Sequence, residues 1–215
     1  MSAAAGLAHQ FETPQQQFEA ANLGMWVFLL TEVLFFGSVL CAYVVYRATY
    51  PDAWAAGSLL NSARLGAAMT VVLLLSSLMM ALAVRSAQLG SRRLVEVYLV
   101  ATMLLGVAFL CMKTYEYHEH WVDHLIPGID FSGYQGAHSP HVELFVCFYF
   151  ILTAIHALHM VIGIGVLTVI FLMTRHKKFN AQYYTPIEIS GLYWHFVDIV
   201  WIFLFPLLYL VDLHQ

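Results

Sequence analysis

Five separated stretches of predominantly apolar residues, each long enough to cross a bilayer, constrain this chain more than any other feature. They fall at about 23–46, 65–84, 94–117, 141–174 and 189–211. A helix needs about 20 mostly apolar residues to traverse the hydrocarbon layer. The backbone there must satisfy its own hydrogen bonds, so runs of this length dictate helices. The chain as a whole is 61% hydrophobic and only 10% charged, which is foreign to a soluble domain. We therefore expect an all-α integral membrane protein, a five-transmembrane-helix bundle forming one domain over 1–215. The fourth stretch exceeds what spanning requires, so it should tilt or project.

The same composition excludes other classes. A net charge of -4 with scattered Lys and Arg provides no basic field for nucleic acid. Cys41, Cys111 and Cys147 lie in apolar stretches without a C-x-x-C pair, so they read as small core residues rather than metal thiolates or a disulfide framework. Residues 1–21 lack a basic segment followed by an apolar one, unlike a secretory signal, so the first stretch is expected to remain as a span.

Orientation follows from basic residues in the connections. Arg85, Arg92, Arg93, Arg175, Lys177 and Lys178 follow spans two and four, whereas Arg47, Arg64 and Lys113 follow spans one and three. The positive-inside rule then places the N-terminus in the cytoplasm and the C-terminus in the periplasm. Trp26, Trp54, Trp121 and Trp194, with Tyr46, Tyr50, Tyr183 and Tyr193, fall near span ends and read as interfacial anchors. Span three closes in a polar run, Lys113, Glu116 and His118, which places its outer end at an interface.

Ionisable groups inside a span are costly and mark functional candidates. Counting along the helical rise puts Glu32, His156, His159, His195 and Asp198 in the middle-to-inner part of the membrane. His156 and His159 share one helical face, as do His195 and Asp198. Glu32 is expected to hold its proton unless a partner holds the charge, which makes it a candidate slow proton acceptor. An interhelical hydrogen bond is the structural alternative. The pair of imidazoles in span four falls short of the three or four ligands a metal site needs, and no partner at matching depth completes a haem site. The stretch containing His118, His120, His124, His138 and His141 beside Glu119, Asp123 and Asp130 could capture zinc or copper. As a solvated polar loop it needs no metal. Gly106, Gly163, Gly165, Ala67 and Ala68 are expected where helices approach closely.

Three segments carry a resemblance. Thr31-Glu32-Val33-Leu34-Phe35-Phe36, then Leu105-Gly106-Val107-Ala108-Phe109 leading to Tyr115-Glu116-Tyr117, then His156-Ala157-Leu158-His159 with Tyr193-Trp194-His195-Phe196-Val197-Asp198, resemble subunit III of cytochrome c oxidase and related haem-copper oxidases. The resemblance runs along nearly the whole chain in the order of that family. With five spans, the chain looks like the short bacterial form, without the two N-terminal helices of the longer members.

The resemblance implies an accessory subunit of a proton-translocating terminal oxidase in the electron transport chain of aerobic respiration. It implies that haems and coppers reside in partner subunits, that this chain carries no cofactor or metal of its own, and that phospholipid binds it. Subunit I would be its main contact, with subunit II, small subunits and a respiratory supercomplex as further neighbours, in a bacterial inner membrane. Glu32 takes the role of the family's buried acid, with Glu116, His156, His159, Trp194, His195 and Asp198 as polar-network or lipid-contact residues. Two other readings are an accessory subunit of a nitric oxide reductase and an independent metal-handling membrane protein.

Overall fold

The computed structural model describes residues 10–176 and 183–211. Lys177 and Lys178, used above for orientation, lie outside the described residues. Six helices follow one another: α1 (Pro14–Thr49), α2 (Pro51–Ser58), α3 (Ala63–Gln88), α4 (Arg92–Val122), α5 (Ser139–Arg175) and α6 (Thr185–Tyr209). All but α2 are long and apolar enough to cross a membrane. The connection before α5 contains an isolated bridge between Ile126 and Asp130.

The helix starts are set by local chemistry. Thr13 caps α1 by accepting the Gln16 amide at 3.1 Å, and Ser62 caps α3 by accepting that of Leu65 at 3.4 Å. Proline lies in the first turn of α1, α2, α5 and α6, where its missing N–H costs nothing. Between α3 and α4 the chain reverses through Gly90 at φ 72°, a left-handed conformation that glycine adopts freely. At 36 and 37 residues, α1 and α5 each extend roughly 55 Å, well beyond the hydrocarbon.

Helices α3, α4, α5 and α6 close a ring in which each packs on two neighbours, α3 against α4 most extensively. α1 stands outside that ring, against α6 and more lightly against α5. Its buried residues are Met25, Leu29, Phe36 and Tyr43, while Leu23, Trp26, Leu30 and Leu34 face outward. An apolar exterior around a partly polar interior is the arrangement lipid favours. The ring interior holds Ser76, Thr102, Lys113, Glu116, Thr153, His156 and Asp198.

Several expectations are corrected here. α4 continues past Tyr117 to Val122, and Lys113 and Glu116 point into the bundle, at 2% and 1% exposure, instead of meeting an interface. Trp54 and Trp194 are buried; Trp54 lies on α2, a helix whose short sequence carries no spanning signal, and packs against Phe145 of α5. Trp26 and Trp121 do face outward. Ala67 and Ala68 are exposed, and a β-carbon on Gly165 would meet nothing within 4 Å. These three small residues therefore line the outside of the described chain, because their helical phase points away from the ring.

Gly106 and Gly163 do serve close packing. A β-carbon at Gly106 would fall 2.9 Å from the Trp194 ring, and one at Gly163 3.0 Å from it. The indole of α6 thus sits in a notch cut from α4 and α5, and its Nε1 donates to Ser76 Oγ of α3 at 3.0 Å. One side chain joins all four helices of the ring.

Candidate functional site

Glu32 of α1 and His159 of α5 meet where α1 leans on the ring. His159 Nε2 lies 3.0 Å from Glu32 Oε2, and His159 Nδ1 lies 2.8 Å from the Ile155 carbonyl. A carbonyl oxygen only accepts, so Nδ1 carries a hydrogen. The contact between Nε2 and the carboxyl then needs one proton, residing on either atom: neutral imidazole with carboxylic acid, or imidazolium with carboxylate. Phe36 packs on the imidazole with ring centroids 5.2 Å apart, and Tyr193 Oη donates to the His159 carbonyl at 3.0 Å. The side chains keep 17% and 12% exposure. The dyad lies at the flank of the bundle rather than in its sealed centre.

The other expected members divide among different neighbours. His156, one helical turn away from His159, is fully buried against Phe109 and Trp201, with no hydrogen bond at either ring nitrogen. Three residues along a helix turn a side chain by about 60°, enough to send His159 toward α1 and His156 into the ring. His195 pairs with Ser77 Oγ of α3 at 2.7 Å. Asp198 is buried beside Ser77 without a hydrogen bond of ordinary geometry to either carboxylate oxygen. Trp194 occupies the glycine notch. Glu116 belongs to a separate cluster.

That cluster centres on Lys113, whose Nζ donates to Glu116 Oε2 at 2.6 Å, Tyr149 Oη at 2.9 Å and Tyr209 Oη at 2.9 Å. All three ammonium hydrogens find an acceptor, and the Tyr149 ring lies 4.3 Å from the charge. Tyr209 Oη also donates to Glu116 Oε2 at 2.8 Å. A buried charge is tolerable when paired and hydrogen-bonded in this way. Reading Lys113 as the end of a span missed this role. The signal was present in the spacing: Phe109, Lys113, Glu116 and His120 recur at helical period on one face, and all four are buried.

Between α4 and α5, His124 pairs with Asp130, and His141 stacks on Tyr50 with centroids 4.0 Å apart. The Ser132 hydroxyl, and then the His124 ring, hold the Asp130 carboxyl below its ordinary range. His120 is buried, with both ring nitrogens engaged by Glu116 and Asn61. Among the described residues, no three His, Cys, Asp or Glu side chains converge as metal ligands would.

Comparison with known proteins supplies the context for these groups. The sequence profile of the family described as cytochrome c oxidase subunit III matches residues 8–212. The quinol oxidase subunit 3 of Bacillus subtilis is 32% identical over 194 residues, covering 89% of this chain and 87% of that protein. The cytochrome c oxidase subunit 3 of Alkalihalophilus pseudofirmus is 28% identical over 189 residues, covering 88% and 85%. A protein of Aeropyrum pernix named heme-copper oxidase subunit I+III is 29% identical over 216 residues, covering 96% of this chain and 24% of that longer polypeptide.

Proposed function

We propose that this chain, which belongs to the cytochrome c oxidase subunit III family, works as the accessory third subunit of a haem-copper oxidase in aerobic respiration, a multi-pass protein of the bacterial inner membrane. The observation that carries the reading is the family match across residues 8–212 on a chain with five spanning helices. Five crossings put the two termini on opposite faces, and the basic residues after α3 and α5 support a cytoplasmic N-terminus.

In this reading the chain is a single membrane domain that catalyses nothing alone. The haems and coppers belong to its partners, and the electron donor, cytochrome c or quinol, is selected there. Subunit I is the proposed main contact, supported by the Aeropyrum relative whose name joins subunits I and III in one polypeptide. The outward apolar face of α1, with Leu23, Trp26, Leu30 and Leu34, supplies surface for a neighbouring subunit or ordered phospholipid.

Glu32 is the proposed proton-active group. Its bond to His159 contains one transferable proton, and the partial exposure of both side chains leaves that proton a route to a docked subunit. Transfer needs no large motion: the hydrogen moves along a 3.0 Å contact while Ile155 holds the imidazole in place. The dyad would thereby support proton uptake and the lifetime of the working oxidase.

The test is purification of the native complex through a tag on this chain, followed by a reduced-minus-oxidised haem spectrum and assays of oxygen and nitric oxide consumption. Haem co-purifying with cyanide-sensitive oxygen reduction is the expected result. A complex reducing nitric oxide but not oxygen, or a chain isolated without haem proteins, would overturn the reading.

A further inference from the structure

The hydrogen-bond geometry around His120 fixes more than its position. His120 lies in the last turn of α4, and its Nδ1 is 3.0 Å from the Glu116 main-chain carbonyl. Its Nε2 is 3.1 Å from Asn61 Oδ1. The orientation of the Asn61 amide is set from its other side, where Nδ2 donates to the Leu208 carbonyl at 3.0 Å. That carbonyl lies in the final turn of α6, among the last groups for which the helix offers no internal donor.

Each ring nitrogen of His120 therefore faces an oxygen that can only accept. A neutral imidazole has one N–H and one bare lone pair, so it would set a lone pair against an oxygen at one of these contacts. Turning the Asn61 amide over removes no conflict, because Oδ1 would then oppose the Leu208 carbonyl. The arrangement is satisfied when both nitrogens carry hydrogen.

The surroundings suit a cation. The C-terminal turn of a helix carries partial negative charge that favours one. The Tyr149 ring lies flat against the imidazole, centroids 5.0 Å apart and planes 12° apart, which is a favourable site for a cation. The charged and titratable groups around the site are Lys113, Glu116 and Tyr117 of α4, Tyr149 of α5, Tyr209 of α6, and Arg64 of α3, which lines the same recess as Asn61. Of the two cations, the Lys113 ammonium is already bonded to the Glu116 carboxylate, and Arg64 is exposed.

We propose that His120 is a second proton-binding site of this protein, an imidazolium held between Glu116 and Asn61, separate from the Glu32–His159 dyad. Asn61 also lines an open recess of about 300 Å³ together with Ser58, Ser62, Arg64 and Tyr209. The stored proton is thus one side chain from the aqueous face on which α4 ends and α5 begins. A proton leaving Nε2 for that recess converts the imidazolium to its neutral form and releases the Asn61 contact, so loss of the proton and loosening of the α3 entry are coupled.

The test is magic-angle-spinning nitrogen NMR at neutral pH on the native complex, labelled with nitrogen-15 in histidine and recovered through a tag on this chain. The wild-type spectrum minus that of His120→Gln should contain two protonated ring nitrogens and no bare one. One protonated and one bare nitrogen in that difference overturns the proposal. If His120→Gln does not assemble, Asn61→Leu serves instead. Removing the acceptor should convert one of a pair of protonated nitrogens into a bare one, and an unchanged spectrum overturns the proposal equally. The readout is the imidazole itself, so it is independent of whether the complex consumes oxygen.

Discussion

Trp194 of α6 and Gly163 of α5 are complementary shapes: the indole edge lies where a β-carbon on the glycine would come within 3.0 Å. In lipid, where apolar burial offers helices little driving force, such close fits and interhelical hydrogen bonds hold a bundle together. Trp194→Ala empties the notch and leaves Ser76 without its donor, so a loss of about 3–5 kcal/mol is expected. Gly163→Val should cost about 1–3 kcal/mol through overpacking. Thermal retention of this subunit in the detergent-solubilised complex measures both, and a melting curve unmoved by Trp194→Ala would contradict the packing account.

Glu32→Ala is expected to leave the complex assembled with its haem content intact while altering proton uptake or shortening its lifetime during turnover. Because one proton serves the dyad, Glu32→Gln and His159→Gln should give similar defects, and the double variant should be no worse than either single one. Proton-to-electron stoichiometry and inactivation kinetics in reconstituted vesicles decide the matter. Wild-type values for Glu32→Ala would reduce the residue to packing.

Removing one member of the Lys113–Glu116 pair should be more damaging than removing both. Lys113→Met strands a buried carboxylate and is expected to cost about 3–5 kcal/mol, whereas replacing the pair by apolar residues of similar volume recovers much of the loss. Denaturation midpoints of Lys113→Met and Lys113→Met/Glu116→Leu compare the two. A double variant weaker than the single one would mean that the tyrosines depend on the ions for more than charge balance.

The connection between α4 and α5 should loosen in acid. Asp130 is held below its ordinary carboxylate range by the Ser132 hydroxyl and by His124. A group whose folded value is depressed contributes stability above its unfolded value and loses it as pH falls through the folded one. Local order over residues 123–138 should therefore persist at neutral pH and decline below about pH 4, where an unperturbed Asp takes up its proton. Asp130→Asn should abolish this acid limb. Amide hydrogen exchange of the connection as a function of pH provides the check, and identical profiles for the two proteins would refute it.

The spans were legible because membrane insertion is decided locally, by runs of apolar residues, with little reference to what packs beside them. Glu32, His159 and Trp194 stood out as candidates because polar or bulky residues are conspicuous against an apolar run. Which of them meet was not. His156 and His159 read as one face, yet a rotation of about 60° sends them to different neighbours. Trp54 and Trp194 read as interfacial anchors because position near a span end was the available cue, but their burial depends on α2 and on notches in other helices. Lys113 read as a span terminus because a charge ordinarily stops a hydrophobic run; here two tyrosines from distant helices accept its hydrogens.

By itself, then, the amino-acid order determined that this chain carries five membrane-spanning segments with a small set of ionisable residues among their apolar ones, since hydropathy is a property of contiguous residues. The tertiary structure decided the partners: Glu32 with His159, Lys113 with Glu116 and two tyrosines, His120 with Asn61. Protonation, charge and hydrogen-bond direction depend on what lies within about 3 Å of an atom, and those neighbours arrive from helices far apart in the chain.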